Sequence, residues 1–234
     1  MFLLTGHLQR WYLGFAAAFF FLLLMLPMLA NWLAVGPDKP KPVYNGNPAK
    51  PQVALACNVF WGEEHLPAML DALDRHNVKI TFFLGGTWVA EHPEIARELA
   101  RRGHELANHS YSHPHPNSLS RESNKAQIIR TEKLVAEVTG VTTKLYAPPY
   151  GEFNATVLEA AAELGYTTIM WSIDTIDWRQ PPAEKIISKV SGKLHNGAII
   201  LIHPTVPTAQ ALPELLFRIK EKGFSVLPVS SILE

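Results

Sequence analysis

From Gln52 onward, short apolar or β-branched runs alternate with segments of helical period. That alternation constrains the fold more than any other feature of the chain. Strands are expected near 52–58, 78–83, 104–107, 142–146, 166–171, 197–202 and 224–228, and helices near 63–76, 92–102, 121–139, 154–164, 183–194 and 208–222. Pro93 opens one helix, and Gly103, Gly140, Gly165 and Gly223 follow the ends of others. Such alternation implies parallel strands joined by crossover helices, an α/β fold. Seven strands suit either an open doubly wound sheet or a barrel, and periodicity does not choose between them.

In sheets of this kind, working residues gather on loops after the carboxyl ends of strands. Asn58 ends the first expected strand. His109 and His113 follow the third, and Ala147-Pro-Pro-Tyr150-Gly151 follows the fourth. Asp174 and Asp177 follow the fifth, and His203 ends the sixth. Histidine is the commonest metal ligand. An i, i+4 pair puts both imidazoles on one face of a helical turn, within reach of one divalent ion. Chance histidines on a surface turn are the competing reading in a chain that holds ten. The recurrence of polar groups at one sheet edge argues against it. No HExxH occurs, which disfavours a zincin-type peptidase.

Trp11 to Ala30 is twenty residues without a charge, enough to span a hydrocarbon core. Arg10 precedes the run, and Trp11, Tyr12 and Trp32 sit near its ends as interfacial anchors would. Residues 1–35 are therefore expected to form an uncleaved anchor, with the body of the chain outside the cytoplasm. A signal sequence removed on secretion is the alternative, although the run is long and lacks a clean cleavage site. Residues 36–51 hold five prolines and two glycines and are expected to be an extended linker. The folded domain is expected over 52–234. The 21 basic and 21 acidic side chains balance, so a nucleic-acid role has no support. The single cysteine, Cys57, lies in an apolar run and reads as a buried hydrophobe.

Five segments of Gln52–Glu234, in order, resemble the polysaccharide deacetylase family, the NodB-homology domain of carbohydrate esterase family 4. Ala56-Cys57-Asn58-Val59-Phe60 stands where the family has Thr-Phe-Asp-Asp-Gly. His109-Ser110-Tyr111-Ser112-His113 matches its His-Ser-x-x-His, and Tyr146 to Gly151 loosely matches its Arg-x-Pro-Pro-Tyr-Gly. Asp174-Thr175-Ile176-Asp177-Trp178 and Leu201-Ile202-His203 match the fourth and fifth motifs. The resemblance implies a distorted (β/α)7-type barrel. It also implies removal of acetyl groups from N-acetylglucosamine or N-acetylmuramic acid units of a cell-wall or chitin-like glycan. A divalent ion, commonly zinc or cobalt, is implied as cofactor, with zinc the expectation here.

Residue by residue, the resemblance makes His109 and His113 metal ligands, Tyr150 the bearer of the oxyanion-binding backbone N–H, and His203 the general acid. Asp177 or Asp174 tunes His203. Trp61, Tyr150 and Trp178 are expected to contact sugar, although Trp61 reads equally well as a partly buried aromatic. The family's first-motif aspartates, base and metal ligand, are here Asn58 and Val59, and the arginine that orients the base is Ala147. Asn58 has no basic oxygen and Val59 ligates nothing. One expectation is slow turnover, with the Asn58 carbonyl completing a metal site and His203, Glu63, Glu64 or His65 replacing the base. An aspartate returned at position 59 is then expected to tighten metal binding. The other expectation is a glycan-binding or envelope-assembly protein that does not turn its ligand over.

Overall fold

The computed structural model describes residues 39–234 and, before them, Phe21 alone. The expected anchor at 1–35 therefore lies outside the described residues, and among the described residues no helix is long and apolar enough to cross a membrane. The domain is a curled, parallel sheet with helices packed on its outer face. Its strands are β1 (Gln52–Val59), β2 (Thr81–Leu84), β3 (Glu105–Asn108), β4 (Leu145–Tyr146), β5 (Thr167–Thr168), β6 (Ile173–Asp174), β7 (Ile199–Ile202) and β8 (Ser225–Val226). The order along the sheet is β5-β4-β3-β2-β1-β7-β6, with β8 beside the start of β1. Helices are α1 (Leu66–Arg75), α2 (Gly86–Glu91), α3 (Pro93–Arg101), α4 (Arg121–Thr139), α5 (Ala155–Glu163), α6 (Ala183–Lys193), α7 (Val206–Glu221) and α8 (Val229–Leu233).

The α/β architecture follows the alternation, but the barrel is incomplete. β5 and β6 are its edges; the strand expected over 166–171 shrinks to β5, and β6 follows it as a further short strand. Strands of two residues are too short to close a ladder, so the chain crosses from one edge to the other through 169–172. Two short helices, α2 and α8, escape a reading based on period because each spans little more than one turn.

The segment expected to be a free linker is extended, yet it is bonded to the domain. Val43 N–H donates to the Thr168 carbonyl at 2.9 Å, and Met170 N–H donates to the Val43 carbonyl at 2.7 Å. Gly46 N–H donates to Gly197 at 2.7 Å and Asn47 N–H to Ile232 at 2.8 Å. This strap runs beside the end of β5 at Val43 and reaches the residues just before β7 at Gly46.

Strand periodicity of two sorts the core into two layers. On β1, Val53, Leu55, Cys57 and Val59 face the helices, where they meet Leu66, Met69 and Leu212. Ala54 and Ala56 face the inside of the curl, with Phe83, Ala107, Ala147 and Ile199. Small alanines leave room inside, and Val229 and Ile232 of α8 fill it from below.

Candidate active site

The same parity decides what reaches the mouth of the curl. Continuing the inward face beyond Ala56, Ala107 and Ile199 gives Asn58, His109 and His203. All three line a cleft of about 430 Å³, together with His113, Tyr150 and Asp174. Trp61, Trp171 and Trp178 form much of its wall, with Phe60, Gly151 and Leu201. The sequence-predicted residues are thus brought together, with Asp177 behind the wall and wholly buried.

The two imidazoles do not meet on a helical turn as the spacing suggested. His109 extends β3, and the loop then doubles back through Ser110 (φ 64°) and His113 (φ 53°), both left-handed. Tyr150 (φ 59°) and Ile176 (φ 58°) share that conformation at the same edge. Strained backbone of this kind persists only where surrounding contacts impose it. The ring centroids of His109 and His113 lie 4.9 Å apart. His109 Nδ1 lies 2.7 Å from the Ala147 carbonyl, so Nδ1 carries the proton and Nε2 keeps its lone pair. Burial pushes His109 down to about 3, aided by neighbouring His113. Burial also pushes His113 down to about 4. Both are neutral at pH 7, the form that ligates.

The remaining donors do not complete a resident metal site. A catalytic zinc ion uses three protein ligands. Among the described residues no group of three His, Cys, Asp or Glu side chains could hold a metal. Val59 is wholly buried in the helix-facing layer and does not line the cleft. Asn58 does face the cleft, and its Oδ1 is buried without a hydrogen-bond partner. It offers a neutral carbonyl where the family has a carboxylate.

His203 is firmly held. Asp177 Oδ1 accepts from His203 Nδ1 at 2.8 Å. Its Oδ2 accepts from His203 N–H and from Thr208 Oγ1, each at 2.6 Å. Asp177, not Asp174, is therefore the partner of the imidazole. Asp174 lines the cleft and its Oδ1 accepts from Ile176 N–H at 2.8 Å, closing a local turn. Thr208 escaped the sequence reading. Its signal was the Thr205-x-x-Thr208 spacing, which caps α7 through Thr208 N–H to Thr205 Oγ1 at 3.1 Å. Cys57, behind Asn58, is buried, and burial and the Asp177 charge push its thiol up.

Trp61 lies parallel to the His203 ring, 5.9 Å between centroids, and is 43% exposed. Gly62 makes that seat possible, since a Cβ there would lie 2.0 Å from the Pro204 carbonyl oxygen. Trp178 is 48% exposed and carries the Arg179 guanidinium 4.7 Å from its ring centre. Tyr150 is less available as a platform, because His115 already stacks on it at 4.1 Å. Glu63, Glu64 and His65 do not line the cleft. Glu63 faces His92 at 3.7 Å and Glu64 faces His65 at 3.3 Å, so none of them replaces the base.

Known proteins are similar to this chain in sequence and fold. A profile of the polysaccharide deacetylase family matches residues 45–169, more than half of the chain. The chain is 43% identical to the uncharacterized protein YlxY of Bacillus subtilis over 84% of its own length, and it spans 61% of that relative. It is 34% identical to a peptidoglycan-N-acetylglucosamine deacetylase of Bacillus cereus over 82% of its length and 71% of the relative's. Among solved structures it is similar to wild-type BA3943 of Bacillus anthracis, described as a CE4 family pseudoenzyme. That match has a TM-score of 0.82 and 39% identity, over 83% of this chain and 69% of the other. A BA3943 mutant described as having restored enzymatic activity matches with the same TM-score at 37% identity, over 83% of this chain and 72% of the other. On the profile and the relatives together, the chain belongs to the polysaccharide deacetylase family.

Proposed function

We propose that the cleft binds N-acetylated cell-wall glycan and turns it over slowly at most. One observation carries this reading: the inward position at the end of β1 is Asn58, while the acid side and the aromatic walls are in place. Amide hydrolysis needs a base to activate water, a polarised carbonyl and a proton for the leaving amine. His203, held by Asp177, supplies the last. Nothing on β1 accepts a proton, and loss of a general base typically costs 10²–10⁴-fold. Two neutral imidazoles without a third acidic ligand leave a divalent ion weakly held, so no step is assigned to one.

Binding needs none of these missing groups. Trp61 and Trp178 offer exposed ring faces at the mouth, and aromatic faces suit the apolar faces of sugar rings. The relatives named for peptidoglycan deacetylation make cell-wall glycan the ligand class to test. The uncharged run at Trp11–Ala30 favours a membrane anchor with this domain outside the cytoplasm, where such glycan is found. Membrane fractionation checks the anchor: the full chain is expected with membranes, and a chain lacking residues 1–35 in the soluble fraction.

The binding reading is checked by cosedimentation with purified peptidoglycan. Wild type is expected to pellet with it, and the double substitution Trp61→Ala, Trp178→Ala is expected to weaken retention at least tenfold. Wild type that stays in the supernatant defeats the reading.

A further inference from the structure

We infer that Asn58 is a specificity-determining residue whose Oδ1 accepts a hydrogen bond from the N–H of an intact acetamido group. This deepens the glycan-binding reading and rests on it. Buried polar atoms are nearly always paired, and an exception needs an explanation. Among the described residues the unpartnered buried side-chain atoms are Gln52 Oε1, Asn58 Oδ1, Trp88 Nε1, His104 Nε2 and Ser191 Oγ. Of these residues only Asn58 lines the cleft, and a half-turn of its carboxamide about the Cβ–Cγ bond brings the unpaired Oδ1 to a ligand there. It is 6% exposed, and strand parity sets it on the inward face with Ala54 and Ala56.

A secondary amide matches what this position offers. It brings one N–H donor for Oδ1 and a methyl group for an apolar wall, which Trp171 and Leu201 provide. It also brings no charge. A carboxylate at position 58 would draw a free amino sugar, which is an ammonium ion near neutral pH; the carboxamide of Asn58 does not. The cleft's own carboxylate, Asp174, sits on β6, separated from β1 by β7. The site therefore retains the acetylated form and releases the deacetylated one, the preference suited to a receptor that leaves its ligand unchanged.

The test is a binding titration of the full chain in EDTA with tetra-N-acetylchitotetraose and its fully de-N-acetylated counterpart. Wild type is expected to prefer the acetylated sugar. Asn58→Leu, similar in volume but without the acceptor, is expected to lower affinity for the acetylated sugar roughly three- to tenfold, the effect of one net hydrogen bond. Its affinity for the amine form is expected to stay within about twofold on the same ground. Asn58→Asp is expected to erase the preference for the acetylated sugar. Unchanged binding of the acetylated sugar by Asn58→Leu overturns this inference and leaves glycan binding standing. If Asn58→Leu does not fold, Asn58→Asp decides, and a preference it retains overturns the inference. Wild type that binds neither sugar overturns both readings.

Discussion

At the scale of single residues, the proposed reading turns on position 58. An aspartate there would face the same cleft as His109 and His113 and give the site an anionic donor. Asn58→Asp is expected to gain zinc-dependent stabilisation, seen as a Tm raised at least 2–4 °C more by zinc than that of wild type, about 1 kcal/mol for a domain of this size. Equal zinc shifts in the two proteins would show that position 58 does not reach the imidazoles. The buried histidines also set a pH dependence. His109 is held at about 3, and His104 and His113 at about 4, all chiefly by burial. Their folded values lie below the unfolded value near 6.5. The unfolded chain therefore binds more protons between these limits, and stability present above pH 6.5 is lost as pH falls toward 4. His109 alone contributes up to about 2 kcal/mol of loss at pH 5. Thermal unfolding is expected to show a lower Tm at pH 5 than at pH 7.5, with a smaller difference in His109→Gln. A pH-independent Tm would place these imidazoles in water.

At the scale of elements, much was legible. The helix at 121–139 was read to the residue, because Ser120 caps its start and Gly140 its end. The strand cores were read because continuous apolar runs mark strands buried on both faces. The edge of the sheet was not legible. β4, β5 and β6 are two residues each, and so short a strand leaves no period. The site was legible as a set of residues but not as a geometry. The spacing of His109 and His113 suggested a helical turn, whereas two left-handed residues bring the rings together. Inward and outward facing on β1 was available in the sequence, since Ala54-x-Ala56-x-Asn58 already alternates with Val53, Leu55, Cys57 and Val59. The strap was missed because composition reports extension and says nothing of pairing. Gly46 and Gly197 meet closely within it. A Cβ on Gly46 would lie 2.3 Å from the Ile232 carbonyl oxygen, and one on Gly197 would lie 2.6 Å from that of Gly46 at φ 76°. Gly197→Ala is expected to cost about 1–3 kcal/mol through forced backbone strain, measured by denaturant unfolding. A loss below about 0.5 kcal/mol, typical of a neutral surface change, would mean that the strap does not constrain the fold.

At the scale of the whole molecule, the two ends of the curl do different work. The inside of the curl is filled by α8, and the strap bonds to the chain after β5 and before β7. The carboxyl end is left open, and there the motifs assemble a cleft with His203 held by Asp177 and with Asn58 at the end of β1. On the proposed reading, ligand recognition and turnover draw on different side chains of one fold. Acetate release from peptidoglycan in the presence of zinc, compared with that of the Bacillus cereus deacetylase under the same conditions, tests this most directly. The account predicts a wild-type rate lower by about 10²–10⁴-fold, with peptidoglycan still bound. A wild-type rate within tenfold of the Bacillus cereus enzyme would contradict it.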